Sequence, residues 1–455
     1  MHPVIAGRLL FPLHEALKRK PTFRWLGRLE AMQWWPAEQL EAYRLERLRA
    51  LLGFAGERVP YYRDLFRRHD IVPARATFED LARIPPLTRQ AVRERFADLQ
   101  ASPPAGPVQT LATGGSTGVP VTVLVDMARL GFGEAARLRA HRWFGLEPGE
   151  REIVLWGSPI EVTRQDAVRA LRDRLLNSRL LSAFDLGEAA LARYADALDR
   201  FRPAKIYGYA SAIYLLARYL EARGRRPARP PRGIFTTAEP LFDFQRATIE
   251  RVFASPVGQE YGARDAGLIA NECPAGGLHI PAEGVHVEIL GDRGDGVGEI
   301  TVTLFDSWSF PIIRYRTGDL GRLDTGACRC GRTLPRLGGV EGRHTDFLVT
   351  PDGRCLHALS AIYVLREAPR VAEFAVRQDA LHHVVVSVVP APGFSAADAA
   401  AIRTRLGGVL GPRVEVEVVQ VAEIARAASG KFRYVVSAVA EEVLTRMLEP
   451  EGAAR

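Results

Sequence analysis

From about residue 110 to residue 340, short apolar runs alternate with helical patterns, and this alternation most constrains what the chain can fold into. "REIVLWG", "KIYGY", "GIFTTAE" and "VGQEYG" read as buried strands. "SAIYLLARYLEARG" and "LFDFQRATIERVFA" carry apolar residues at the helical period between them. Parallel strands need a crossover to return, so strand–helix alternation predicts a parallel α/β sheet. "HVEIL" and "GEITVTLF" then predict an antiparallel, barrel-like addition. Residues 1–100 read as mostly helical, with "TFEDLARIPPLTRQAVRERFADL" split by Pro85 and Pro86. After Arg343 the pattern restarts as a small α+β unit. It has a helix ("LSAIYVLREA"), a strand pair ("VAEFAVRQ", "HHVVVSVVP"), a helix ("SAADAAAIRTRLGGVL") and a strand ("VEVEVVQV"), then a glycine loop and a last helix from about Val435.

At 455 residues the chain is long enough for two or three domains, and 47% apolar with 25% charged residues is the makeup of a soluble globular protein. No apolar run approaches the roughly 18 residues of a membrane helix. The first twenty residues, "MHPVIAGRLLFPLHEALKRK", lack the charge order and cleavage site of a signal peptide. They read as an ordinary N-terminal helix, with docking on a membrane surface as the lesser alternative. The net charge of +8 is spread among acids, without a basic run or a nucleic-acid motif. A groove that attracts anions such as ATP or coenzyme A accounts for the sign, and no nucleic-acid partner is expected. Of 61 basic residues only Lys18, Lys20, Lys205 and Lys431 are lysine. A lysine kept in such an arginine-rich chain points to a need for a compact, movable ammonium group. Lys205, beside "IYGYAS", reads as a surface residue. Trp34 and Trp35 read as packing, and His382 and His383 as surface or strand-edge residues. Four cysteines are too few for a secreted disulfide scaffold, so a reducing cytoplasm is expected.

"LATGGSTGVPVTV" (111–123) is an anion-loop candidate. Gly114, Gly115 and Gly118 let backbone N–H groups approach an anion, and the hydroxyls of Thr113, Ser116 and Thr117 add donors. No Lys-Ser/Thr closes it, so it is not a Walker loop, and an ordinary turn between strands is the alternative. In "QEYGARDAG", Tyr261 followed by Gly262 can set a flat ring beside a nucleobase, and Asp265 can hold Mg²⁺ on phosphates. A surface carboxylate on a plain loop is the alternative. In "IIRYRTGDLGRL", Asp319 after Thr-Gly is expected to be held rigidly at a turn, as an acceptor for a ribose diol, against a simple hairpin. Cys273 and His279 in "CPAGGLH", with Cys328 and Cys330 in C-x-C spacing, make a set of three thiolates and one imidazole suited to structural zinc. Buried free cysteines with a lone histidine are the alternative, and Cys355 reads as core or bystander.

TGGSTG-V-P, AEP (238–240), YG-x-x-D, YRTGD, GR (342–343) and SGK (429–431) follow one another in order. Together they resemble the adenylate-forming superfamily of acyl- and aryl-CoA ligases and adenylation domains. "VPYYRDLF", "IPPLTR", "EC…GLHI" and "CRCGRTLPRL" are similar to the phenylacetate–CoA ligase branch with its CapK-like members. The resemblance implies an α/β fold: a large N-terminal domain over 1–341, binding ATP and the acyl group, and a small α+β lid domain over 342–455. It implies that Thr113 to Gly118 cradle the β- and γ-phosphates, and that Ala238, Glu239 and Pro240 line the adenine pocket. Tyr261 with Gly262 would stack on adenine, Asp265 would bind Mg²⁺, and Asp319 would hold the ribose hydroxyls. Arg343 would start the hinge, and Lys431 would reach the substrate carboxylate and the bridging oxygen of the α-phosphate. Similar cysteines recur in the branch, which implies a structural Zn²⁺ on Cys273, His279, Cys328 and Cys330. Val121 stands where many relatives have Lys, and Asp265 where most have Glu.

The implied function is ATP- and Mg²⁺-dependent activation of a carboxylic acid, aryl or arylacetic by default, to an acyl-adenylate and then a coenzyme A thioester. Transfer to an amine or a carrier protein is the runner-up. A nucleotide-binding scaffold without catalysis is the third reading, which Asp319 and Lys431 oppose. The oligomeric state is open, a homodimer being one option.

Overall fold

The structure, a computed structural model, describes residues 1–113, 121–156, 166–183, 186–239, 241–291, 296–341, 347–424 and 434–439. They form two compact units. The first combines Met1–Thr113, Val121–Glu150 and Gly258–Gly342; the second is built from Arg151–Val257 and the described residues after Arg343.

The first unit opens with helices. α1 (Pro3–Ile5), a π-helical stretch (Ala6–Leu10) and α2 (Phe11–Leu17) run end to end. α3 (Thr22–Met32), α4 (Ala37–Arg58), α5 (Pro60–Arg68), α6 (Phe78–Arg83) and α7 (Arg89–Glu94) follow. Leu48, Leu51, Leu52 and Ala55 recur on one face of α4 and are fully buried, which fixes its packing. Thr77 and Asp80 form a reciprocal cap at the start of α6, and Pro85 and Pro86 separate α6 from α7 as the sequence predicts. β1 (Val108–Thr113) and β2 (Val121–Asp126) pair antiparallel from Val108↔Asp126 to Thr113↔Val121. Val121 is wholly buried at the start of β2, so the position that is Lys in many relatives here carries a core side chain. The Asp126 carboxylate accepts N–H bonds from Trp308 (2.8 Å) and Ser309 (3.0 Å), which ties the hairpin to the rest of the unit. α8 (Met127–Trp143) comes next.

The second unit contains the predicted parallel sheet. β3 (Glu152–Trp156), β4 (Ser178–Ser182), β5 (Lys205–Tyr209) and β6 (Gly233–Thr237) lie in the order β4-β3-β5-β6, all parallel. α9 (Asp166–Leu175), α10 (Glu188–Phe201), α11 (Ala210–Ala222) and α12 (Asp243–Phe253) alternate with them. Lys205 corrects the sequence expectation: it is buried at the start of β5 and paired with Glu152 at 3.4 Å, not a surface lysine.

The chain then returns to the first unit with antiparallel strands, as "HVEIL" and "GEITVTLF" predict. They are β7 (Val257–Ala263), β8 (Gly267–Glu272), β9 (Leu278–His279), β10 (Val285–Leu290), β11 (Gly298–Leu304), β12 (Tyr315–Asp324) and β13 (Arg336–Glu341). Their order is β10-β11-β12-β13-β9-β8-β7. Phe305, Phe310, Tyr315 and Tyr62 fill the core against the N-terminal helices.

The last segment belongs to the second unit. β14 (Phe347–Val349) and β15 (Cys355–His357) pair, and α13 (Ala358–Arg366) follows. β16 (Val371–Ala380), β17 (His383–Pro390), α14 (Ala396–Leu410), β18 (Glu415–Gln420) and β19 (Val435–Ser437) complete it, with strand order β18-β17-β16-β19. Where the last helix was expected to begin, Val435–Ser437 form strand β19, and residues 440–455 lie outside the described residues. Val435 is buried and paired with Val376, and two β-branched residues favour the sheet over a new helix.

Candidate active site

β7 and β12 bring together two motifs that lie far apart in sequence. The Tyr261 hydroxyl donates to Asp319 Oδ2 at 3.0 Å. Asp319 does not sit at a turn, as the sequence suggested, but inside β12 where the register with β11 shifts between Glu299 and Thr301. Gly318 takes φ +81°, a conformation that disfavours any other residue. The bulge is pinned from three sides. Thr317 Oγ1 donates to the Ile300 carbonyl (2.8 Å), the Asp319 N–H donates to Thr317 Oγ1 (3.1 Å), and the Gly318 N–H donates to Glu299 Oε1 (3.1 Å). A bulge re-aims a strand side chain, and here the side chain is the carboxylate expected to hold a ribose.

Asp265 lies in the turn between β7 and β8, and its environment is not that of an open metal ligand. It is 2% exposed. Oδ2 accepts the Tyr315 hydroxyl at 2.5 Å and faces Arg89 Nε at 3.6 Å, and Oδ1 accepts the Ala266 N–H at 3.2 Å. The Asp265 backbone carbonyl accepts from Arg129 Nη2 at 2.6 Å. Burial, then the neighbouring carboxylate, pushes the Tyr315 phenol up, so it stays a donor. Burial, the largest single influence, would lower Arg89, but Asp265, Tyr315 and Asp319 together more than offset it and the guanidinium is held charged. The carboxylate that the sequence offers to Mg²⁺ is thus sealed among protein donors and does not fit a direct metal ligand in this arrangement.

Arg89 is the residue that the sequence did not single out. Leu87 forms a bridge to Tyr315, with the Leu87 N–H on the Arg314 carbonyl and the Arg316 N–H on the Leu87 carbonyl. This lays "IPPLTR" along β12 and sets Arg89 at the start of α7. Its Nη2 donates to the Thr317 carbonyl at 2.9 Å and its Nε to the Tyr315 hydroxyl at 3.3 Å. One guanidinium therefore holds Asp265, Tyr315 and the backbone two residues before Asp319. The available signal was its place in "IPPLTR"; one arginine among so many carries none.

In the second unit, β6 is followed directly by Ala238, which adopts φ +67°, a strained conformation for a residue with a Cβ. Glu239 Oε2 accepts the Ser211 N–H at 3.0 Å, so a carboxylate caps the N-terminal turn of α11. Trp156, at the end of β3, stacks on Tyr209, at the end of β5, with ring centroids 4.4 Å apart. An aromatic wall at the carboxyl edge of a parallel sheet is where α/β proteins bind small molecules. The buried Ser211 and Thr236 hydroxyls have no hydrogen-bond partner among the described residues. Gly114 to Gly118, Pro240, Arg343 and Lys431 lie outside the described residues.

The cysteine set assembles. Cys273, His279, Cys328 and Cys330 offer ligand atoms all within 4.8 Å of one another. Cys273 Sγ and Cys328 Sγ are 3.7 Å apart, too far for a disulfide. Tetrahedral zinc with Zn–S of about 2.3 Å would separate two thiolates by about 3.8 Å. Cys330 Sγ lies 3.2 Å from His279 Nε2, while His279 Nδ1 faces the Leu334 carbonyl at 3.2 Å. That second contact orients a ligating imidazole in the usual way. Burial pushes His279 down to about 4, which keeps the ring neutral, the form that binds metal. A Cβ on Gly277 would lie 2.7 Å from Cys328 Sγ and 3.2 Å from His279 Nε2, so only glycine leaves the cradle open. The donor set and geometry fit zinc. Cys355 lies on β15, away in sequence from this set.

The two units together carry the fold of acid–CoA ligases. A 2-hydroxyisobutyryl-CoA ligase, solved with 2-hydroxyisobutyryl-AMP and coenzyme A in its thioesterification state, matches with TM-score 0.61 and 22% identity over 91% of this chain and 93% of its own. Residues 348–438 match the CapK C-terminal domain. Protein CapK of Staphylococcus aureus is 25% identical over 67% of this chain and 68% of its own length. Phenylacetate-coenzyme A ligase of Thermus thermophilus is 27% identical over 69% of this chain and 72% of its own. The fold is therefore that of the AMP-forming acid–CoA ligases. In sequence the chain is similar to the phenylacetate–CoA ligases and to protein CapK.

Proposed function

We propose that this protein uses ATP to convert a carboxylic acid to an acyl-adenylate and then transfers the acyl group to coenzyme A. The observation that carries this reading is the Tyr261–Asp319 contact. It joins the aromatic residue of one nucleotide motif to the carboxylate of another across the β7–β12 part of the first unit. In the first half-reaction a substrate carboxylate oxygen bonds to the α-phosphorus of ATP and the bond to pyrophosphate breaks. Asp319 would accept from the ribose hydroxyls, with Tyr261 stacked on adenine and Ala238 to Pro240 beside it. Thr113 to Gly118 would hold the departing phosphates, and Lys431 would neutralise charge at the bridging oxygen. Lys431 on a lid domain from residue 342, hinged at Arg343, could leave before the thiol attacks. Mg²⁺ would enter on the phosphates of ATP. Asp265 is not assigned as its ligand, and we give it the task of anchoring Arg89 and Tyr315. Zn²⁺ on Cys273, His279, Cys328 and Cys330 is proposed as structural. An aryl or arylacetic acid is the proposed substrate class, supported by the Trp156–Tyr209 wall.

Carboxylate-dependent exchange of labelled pyrophosphate into ATP, over a panel of aryl, arylacetic and short hydroxy acids, tests the first step. Exchange with an aryl acid and AMP-forming thioester synthesis with coenzyme A are expected. Product with an amine or a carrier protein, but none with coenzyme A, would replace the second step. Absence of exchange with every acid would leave only a nucleotide-binding scaffold.

A further inference from the structure

The segment α1–α2 takes no part in the nucleotide site, yet its outer face is built with regularity. Met1, Ile5, Leu9, Leu13 and Leu17 recur at every fourth position, and with Val4 they are 43–76% exposed. Six of the fourteen strongly exposed large apolar side chains among the described residues lie in these first 17 positions. In an α-helix a step of four residues overshoots one turn by about 40°. The wider π-helical turn at Ala6–Leu10 takes back part of that overshoot, so Ile5, Leu9, Leu13 and Leu17 stay on one side, with Met1 just ahead of the first helical turn.

The opposite face is bolted down. Ala6, Gly7 and Glu15 are buried. A Cβ on Gly7 would lie 1.9 Å from the Pro148 carbonyl oxygen, so the helix backbone sits directly on that loop. Phe11 meets Phe23 edge-on at 5.5 Å, and Glu15 accepts from Thr22 Oγ1 at 2.6 Å with Lys20 at 3.8 Å. The exposed stripe is therefore a fixed feature, not a frayed end. Arg8, Lys18 and Arg19 flank it and are exposed, whereas Glu15, the single acid of the first twenty residues, is turned inward.

We propose that this face docks on an anionic phospholipid bilayer, with the apolar stripe in the headgroup–acyl boundary and the basic side chains on lipid phosphates. An apolar ridge bordered by basic groups is the arrangement of an interfacial helix. The segment, about 22 Å long at 1.5 Å per residue, lies on a bilayer and is too short to span it. The overall charge of +8 draws the same way. A second copy is the poorer occupant, because a two-fold contact would set Arg8, Lys18 and Arg19 against their own equivalents.

Flotation of the full chain with vesicles of phosphatidylcholine alone, or mixed with phosphatidylglycerol, tests the proposal. Binding to the mixed vesicles only, weakened by salt, is expected. Leu9→Glu/Leu13→Glu should weaken it by roughly tenfold or more, and Arg8→Gln/Lys18→Gln/Arg19→Gln should abolish the lipid selectivity. Both sets are at the surface, so pyrophosphate exchange should be unchanged. Absence of vesicle binding, or binding that the leucine variant leaves intact, overturns the proposal. A dimer that the leucine variant converts to monomer, without vesicle binding, would make the face a contact between copies instead.

Discussion

Arg89 shows how a single side chain can set the proposed nucleotide site without belonging to one of its motifs. It fixes Asp265, Tyr315 and the Thr317 carbonyl, and the last of these sets the bulge that aims Asp319. Loss of this clamp should act on ATP binding more than on the chemical step. Arg89→Lys keeps the charge but not the fork of donors. It is expected to raise the KM for ATP roughly tenfold, about 1.4 kcal/mol, with a smaller change in kcat. Asp265→Asn should do likewise, and the double variant should be less impaired than the sum of the two. An unchanged KM in pyrophosphate-exchange kinetics would count against the clamp. At this scale the sequence was partly legible. Tyr261 and Asp319 stood in recognisable strings, and the structure places them in contact. Asp265 was legible as a motif carboxylate but not as a buried one, because burial depends on Tyr315 and Arg89 arriving from distant segments. Lys205 misled for the same reason: its partner Glu152 lies on a neighbouring strand, 53 positions earlier.

At the level of elements, the apolar runs rich in β-branched and aromatic residues announced β3, β5 and β6. β4, with the sequence SRLLS, carries no β-branched residue and was not visible as a strand. β19 was masked by its short length, since three residues become a strand only through the partner β16. The cysteine set depends on element placement too. β9 supplies His279, the turn before it supplies Cys273, and the loop between β12 and β13 supplies Cys328 and Cys330. The pairing of β9 with β13, Arg336↔His279, holds these pieces side by side. Purified protein is expected to contain about one equivalent of zinc. Gly277→Ala removes no ligand, yet its Cβ would intrude on Cys328 and His279, so it should lower zinc content. Cys330→Ser should do the same and lower the thermal midpoint by roughly 5–10 °C, as expected when metal binding is part of folding. Full zinc content in Gly277→Ala, by metal analysis, would rule out the four-ligand site.

For the whole molecule, stability should depend on acid through buried neutral histidine. His286 on β10 stacks on Phe78 at 4.4 Å, and its Nδ1 faces Arg44 Nη2 at 2.7 Å. An arginine can only donate, so that nitrogen must be the unprotonated acceptor. Burial, with Arg44 and Arg314 adding to it, pushes His286 down to about 3. In the unfolded chain a histidine titrates near 6.5. Between that value and the folded one, the unfolded state binds the extra proton, so stability is full above about 6.5 and falls as the pH drops. The limiting slope is about 1.4 kcal/mol per pH unit for each such group. Carboxylates behave differently: Arg370 and Ser395 hold Asp398 below the usual carboxylate range, and its contribution is lost only in stronger acid. The thermal midpoint should therefore fall between pH 6.5 and 5, before carboxylates matter. His286→Gln keeps an acceptor for Arg44 but cannot be protonated, so its midpoint should fall less over the same interval. Equal falls in the two proteins, measured by circular dichroism in matched buffers, would show that the acid sensitivity arises elsewhere.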